Sequence, residues 1–211
     1  QRQMCIRDSS ISSVEDLIYP ALFVIAGFVA ILSHEMGHAL VGRKLGGGQQ
    51  TIVLELFGGL TSSHGMQLTR GGRALMILAG PMMTLLLGII SLWLTWNIVA
   101  PVMTSYNLNF WDLAISPFTA ALISPKLYIL SCLIMIGEWW TILNLLPIYP
   151  LDGGQLIAQY IRSPRKVFMT GFITAILIGL LSFQLFHGYF IPIFMALFAY
   201  SNYREYKNAP F

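Results

Sequence analysis

The stretch LIYPALFVIAGFVAILSHEMGHALV, residues 17–41, decides how the rest of the chain is read. At ~1.5 Å per residue, a helix of this length covers the ~30 Å hydrocarbon core of a bilayer with some tilt. Inside its apolar run lie three ionisable groups, in His34-Glu35-Met36-Gly37-His38, and the run ends at Arg43-Lys44. Each such group costs ~2 to 3 kcal/mol or more at the centre of a bilayer, so their presence there points to function before packing.

Working outward, residues 74–100, 127–146 and 167–186 read as further spans, and 189–200 as a weaker, shorter fifth. Between the first and second spans, residues 46–72 are rich in glycine and change period. Thr51-Ile52-Val53-Leu54-Glu55-Leu56-Phe57 is apolar and β-branched, Gly58-Gly59 interrupts it, and 60–64 is small and polar. The expected fold is therefore an all-α integral membrane protein of about five transmembrane helices, with a small membrane-associated β-strand or hairpin between the first and second.

Composition agrees. Apolar residues make up 56% of the 211 and charged residues only 10%, against roughly a quarter charged for a soluble domain. The net charge of +3 arises from cations scattered in pairs, which excludes a nucleic-acid face and reads as topology signals. Cys5 and Cys132 cannot make a disulfide framework. Residues 1–10, QRQMCIRDSS, resemble a translated adapter read-through and are expected to be a non-native N-terminus, set aside from fold reasoning.

With the N-terminus outside, Arg43, Lys44, Arg70, Arg73, Arg162, Arg165, Lys166, Arg204 and Lys207 face the cytoplasm and Arg2, Arg7 and Lys126 do not. This distribution obeys the positive-inside rule. His38 and His34 precede Arg43 by five and nine residues, placing them roughly 8 to 14 Å below the cytoplasmic surface.

His34 and His38 are four residues apart, so a helix stacks their imidazoles on one face, where both can reach one metal. Zinc takes neutral imidazole nitrogen, and a catalytic zinc keeps one position for water. Glu35 beside them fits a general base. A third ligand must come from elsewhere, and Asp152 is the best candidate. It follows Asn144-Leu145-Leu146-Pro147-Ile148-Tyr149-Pro150-Leu151, whose two prolines stop a helix, and it precedes Gly153-Gly154. Asp152 with Gln155 also reads as a capping-box start for a helix over 155–161, and the two roles are compatible.

HEMGH together with NLLPIYPLDGG resembles the site-2 protease family of intramembrane zinc metalloproteases, particularly compact prokaryotic members similar to the sporulation-factor processing protease. The resemblance covers residues 17–162, read as a three-helix metalloprotease core that includes strand region 46–72. Residues 163–211 follow as a C-terminal helical hairpin and cytoplasmic tail. It implies that His34, His38 and Asp152 bind Zn2+, that Glu35 activates water, and that Asn144 positions a transmembrane protein substrate. It further implies that the strand at Phe57, Gly58 and Gly59 pairs with that substrate once unwound. Unwinding a helix in lipid leaves unpaired backbone groups, and a strand edge can accept them.

One departure stands out: the family commonly has Gly-Pro-x-x-Asn in the second core helix, whereas here Gly80-Pro81-Met82-Met83 is followed by Thr84. The implied setting is a prokaryotic plasma membrane, with the active site near the cytoplasmic side and regulation by partner membrane proteins or prior trimming of the substrate. Two rivals remain. One is a non-catalytic membrane scaffold or metal-binding transport protein, against which the intact Glu35 argues. The other is the class of membrane metalloproteases that takes a Glu from a later helix, against which Asp152 argues.

Among other polar residues, Glu138 lies about 120° round the helix from Asn144 and is expected to be a protonated or internally paired structural acid. His64 is expected in a solvated loop, and His187-Gly188 at the turn between the last two spans.

Overall fold

The computed structural model describes residues 15–46, 48–55, 58–64, 67–106 and 109–210. The expectation for residues 1–10, and Phe57 with it, lies outside them. The described residues form α1 (Glu15–Gly46), β1 (Gln49–Glu55), β2 (Gly58–His64), α2 (Arg70–Tyr106), α3 (Phe110–Ile115) and α4 (Pro117–Ala121). They continue as α5 (Pro125–Asn144), α6 (Asp152–Ala158), α7 (Pro164–Phe186) and α8 (Phe190–Asn208).

Among the described residues, four helices are long and apolar enough to cross a membrane, over Leu17–Gly46, Arg70–Pro101, Pro125–Asn144 and Pro164–Leu185. The protein is thus a mostly helical integral membrane protein. Large apolar side chains such as Val24, Met82, Trp93 and Leu180 stand exposed on these helices, the surface that lipid solvates. Helix α1 closes with Arg43 and Lys44 in its last turn, where cations complement the helix dipole.

Chain packing divides into two units, one of residues 1–30 with 88–136 and one of 31–87 with 137–211. In the first, Val99, Leu113, Ala120 and Leu127 form one buried cluster and Phe110, Ala114 and Ile134 another. Tyr19 donates its hydroxyl to the Ala121 carbonyl at 2.9 Å and meets the Tyr128 ring edge-on. The short helices α3 and α4 were not anticipated from hydropathy. They start on local caps, Asn109 accepting from the Trp111 N–H and Ser116 from the Thr119 N–H, with Pro117 in the first turn of α4.

In the second unit, β1 and β2 pair antiparallel in the register Gln49↔His64 to Glu55↔Gly58. His64 is therefore the last strand residue, paired in the ladder, and not a loop residue. Ile148, Ala175, Met195 and Ala199 make the core between the 145–151 segment, α7 and α8. The turn between α7 and α8 is made by His187, whose φ of 50° gives the left-handed helix cap, its N–H bonded to the Phe183 carbonyl. Glu138 is exposed and, among the described residues, enters no ion pair, so the internally paired reading does not hold.

Candidate metal centre

Helix α1 places His34 and His38 one turn apart, their rings 4.8 Å between centroids and edge to face. Both are buried, as is Glu35 between them. Ligand atoms of His34, Glu35 and His38 all lie within 4.8 Å of one another. From 114 residues further on, the carboxylate of Asp152 enters the same space. Its Oδ2 lies 2.9 Å from His34 Nε2 and 3.4 Å from His38 Nε2.

The other nitrogen of each ring fixes its tautomer. His38 Nδ1 sits 2.9 Å from the Met76 carbonyl, which can only accept, so Nδ1 carries the proton and Nε2 presents a lone pair. His34 Nδ1 lies 3.3 Å from Thr84 Oγ1. The single hydroxyl proton of Thr84 goes to its own helix, at the carbonyl of Gly80 or Pro81, and Thr141 donates to Thr84 at 3.0 Å. Thr84 is thus left as an acceptor toward His34, whose Nδ1–H donates to it.

Two imidazole lone pairs and a carboxylate oxygen then face one another in a buried space, an arrangement that repels unless a cation is shared among them. A tetrahedral site with bonds of ~2.1 Å has edges of about 3.4 Å. The His38–Asp152 separation meets that value and the His34–Asp152 separation must open by about 0.5 Å. Nitrogen and carboxylate donors of this kind suit zinc.

Why the chain can bring these groups so close is visible in its glycines. Helix α2 crosses α1 where Gly37 faces the Ala79 carbonyl, and a Cβ at Gly80 would strike His38 Nε2 and lie 2.8 Å from His34 Nε2. On the Asp152 side, Gly153 and Gly154 are packed on the backbone of Leu145, Leu146, Ile148 and Tyr149, with no space for a Cβ.

Asp152 is the first residue of α6, behind the cap residue Leu151, and it makes no side-chain capping bond. The capping-box expectation fails here for a stated reason. Gln155 turns its amide to the Pro150 carbonyl at 2.9 Å, and the helix runs over 152–158, not 155–161, so the carboxylate is free to face the imidazoles.

Asn144 is buried at the end of α5, its amide donating to the Trp140 carbonyl of its own helix at 3.0 Å; this is neither an interhelical bond nor a contact with the imidazoles. Gly58 and Gly59 open β2, opposite Glu55 and Leu54. The strand pair approaches α1 one turn beyond His38, where Gln50 Oε1 lies 3.4 Å from the position of a Cβ on Gly42.

Two residues to which the sequence assigned no supporting role hold the centre in place. Thr84 occupies the position noted as a departure, and its hydroxyl joins His34 to Thr141. Asn202, on α8 and 1% exposed, donates to the Tyr149 carbonyl at 2.6 Å and the Phe198 carbonyl at 2.9 Å. It thereby pins the segment that delivers Asp152. An Asn just beyond the apolar run 190–200 of α8 was the available signal.

A buried set of imidazoles and carboxylates, carried in part by a helix of membrane-spanning length, defines a polytopic membrane protein built round a candidate metal centre. The chain belongs to peptidase family M50, whose pattern matches residues 22–186. It is 29% identical over 201 residues to zinc metalloprotease MJ0392 of Methanocaldococcus jannaschii, covering 90% of this chain and 50% of that protein. Putative zinc metalloprotease Rip3 of Mycobacterium tuberculosis is 30% identical over 132 residues, 63% of this chain and 29% of that one. The chain thus spans half or less of the length of these curated relatives. The solved structure of a site-2 protease from M. jannaschii superposes with a TM-score of 0.56 at 25% identity, covering 88% of this chain and 78% of that one.

Proposed function

We propose that this protein is a zinc-dependent intramembrane endopeptidase that cuts membrane-tethered proteins, working in a prokaryotic plasma membrane with its centre toward the cytoplasmic side. The observation that carries the reading is the convergence of His34 Nε2, His38 Nε2 and Asp152 Oδ2, with Glu35 buried beside them in the HExxH sequence. Names of the similar proteins, all metalloproteases, agree with it.

In this reading His34, His38 and Asp152 hold the metal. Zinc, when bound, supplies Lewis acidity toward a peptide carbonyl and toward water. Glu35, a carboxylate one residue from His34, accepts the proton of the attacking water and returns it to the departing amine. Met76 and Thr84 keep both rings in the ligating tautomer. The substrate's transmembrane helix unwinds along the β1–β2 pair at Gly58 and Gly59, with Phe57 next to them in sequence as a further contact, and Asn144 positions it. Residues 17–162 form the catalytic core. Helices α7 and α8 flank it, α8 acting as a fifth, shorter membrane helix, and other membrane proteins regulate access.

Glu35→Gln tests the chemistry. The amide cannot take a proton, so cleavage of a membrane-tethered reporter should fall by about 10²- to 10⁴-fold while zinc content stays at the wild-type level. Wild-type turnover in the purified variant rules out the general-base role.

A further inference from the structure

The start of α2 and the link that follows α6 enclose a cavity of about 330 Å³ lined by Arg70, Arg73 and Arg162 with Leu68, Gln159 and Ile161. No carboxylate lines it, and among the described residues none of the three arginines enters an ion pair. The three arginines are exposed along this cavity and give it a positive character, and their planar forks suit phosphate oxygens.

A second cavity, of about 210 Å³, shares Ala158, Ile161 and Arg162 with the first and continues along Tyr149, Val167 and Phe168. Its character is apolar and aromatic, the Tyr149 and Phe168 rings meeting edge-on at 5.4 Å. Arg70 and Pro164 are the first residues of two of the membrane-spanning stretches. The charged cavity therefore falls where spans leave the hydrocarbon, at the level of lipid headgroups, and basic pockets between span ends at that level take anionic headgroups.

We propose that these adjacent cavities bind an anionic phospholipid, its phosphate held by Arg70, Arg73 and Arg162 and an acyl chain lying along Tyr149, Val167 and Phe168. The apolar extension favours a lipid over a free phosphate. A zwitterionic lipid is disfavoured because its ammonium would face the arginines. Ala158 ends α6, the helix that Asp152 begins, and Tyr149 lies three residues before Asp152. A lipid seated here touches both flanks of the segment carrying that carboxylate. The binding itself does not depend on the peptidase reading.

The test takes the full chain in nanodiscs of equal parts phosphatidylglycerol and phosphatidylcholine and counts the lipids retained by native mass spectrometry. Wild type should retain phosphatidylglycerol in preference. The combined Arg70→Gln, Arg73→Gln, Arg162→Gln variant should lose that preference, an expected drop of about 100-fold in apparent affinity at roughly a factor of five per cation. Ala158→Phe keeps every charge but fills the wall shared by the two cavities, and should lose the adduct too. Arg204→Gln, removing an exposed cation on α8 that does not line the cavity, should behave as wild type. Undiminished phosphatidylglycerol retention in both cavity variants would overturn the proposal. So would glycerol 3-phosphate binding as tightly as phosphatidylglycerol, because the site would then be one for soluble phosphates.

Discussion

Replacing Gly80 by alanine tests the geometry of the centre with one methyl group. A Cβ at this position would lie 2.8 Å from His34 Nε2 and closer still to His38 Nε2. Unstrained carbon–nitrogen contact needs about 3.5 Å, so the rings must retreat by roughly 1 Å. They cannot do so by moving the helices apart without opening the contact between Gly37 and the Ala79 carbonyl. Misplacement of that order costs about 10²-fold in rate, some 2.7 kcal/mol of transition-state stabilisation.

Helix propensity acts in the opposite direction, since alanine is favoured over glycine within a helix by ~1 kcal/mol. Gly88 lies on the same helix with nothing within 4 Å of its Cβ position, so Gly88→Ala supplies the helix benefit without the collision. Three measurements on the purified proteins separate these effects: zinc per chain by elemental mass spectrometry, cleavage of a membrane-tethered reporter, and thermal unfolding. Gly80→Ala should lose zinc and turnover without a matching loss of helix stability, and Gly88→Ala should keep both. Wild-type zinc content and turnover in Gly80→Ala would refute the placement of the imidazoles against α2.

Two further substitutions probe the supports. Thr84→Val keeps the shape but removes the oxygen shared by His34 and Thr141, which should weaken zinc binding by about 10- to 100-fold in a chelator competition; unchanged affinity would remove Thr84 from the support of His34. Asn202→Leu deletes both donors to the Tyr149 and Phe198 carbonyls. It should cost about 1 to 3 kcal/mol, read as a lowered unfolding temperature, and reduce zinc retention through Asp152; a destabilised protein with full zinc occupancy would limit Asn202 to packing.

The parts legible in the sequence were those in which a local pattern carries the physics. A hydrophobic run with ionisable residues at helical spacing announces both a span and a shared face, so α1 and its two histidines could be read directly. Asp152 was reachable because prolines and glycines flag a break in an apolar segment. The details that failed depend on particular hydrogen-bond partners, near or distant in sequence, that no periodic pattern records. Whether Asp152 caps a helix or faces the imidazoles is decided by where Gln155 finds its acceptor. His64 belongs to a strand only because Gln49 lies opposite it. The short helices α3 and α4 carry too few residues for a periodic signal and rest on caps. Thr84 appeared as a departure from a pattern because its partners, His34 and Thr141, are 50 and 57 residues away.

The hold of Asn202 on Tyr149 has a consequence in time. Residue 202 is synthesised 50 positions after Asp152, several seconds later at ~5 to 20 residues per second. Until then the emerging chain already possesses both histidines, Glu35 and the aspartate, but lacks the amide that pins the aspartate's segment. Helix α8 therefore adds the contact that completes the seating of the aspartate's segment. A chain interrupted before that point would carry the candidate metal ligands without the hydrogen bond that holds the aspartate's segment.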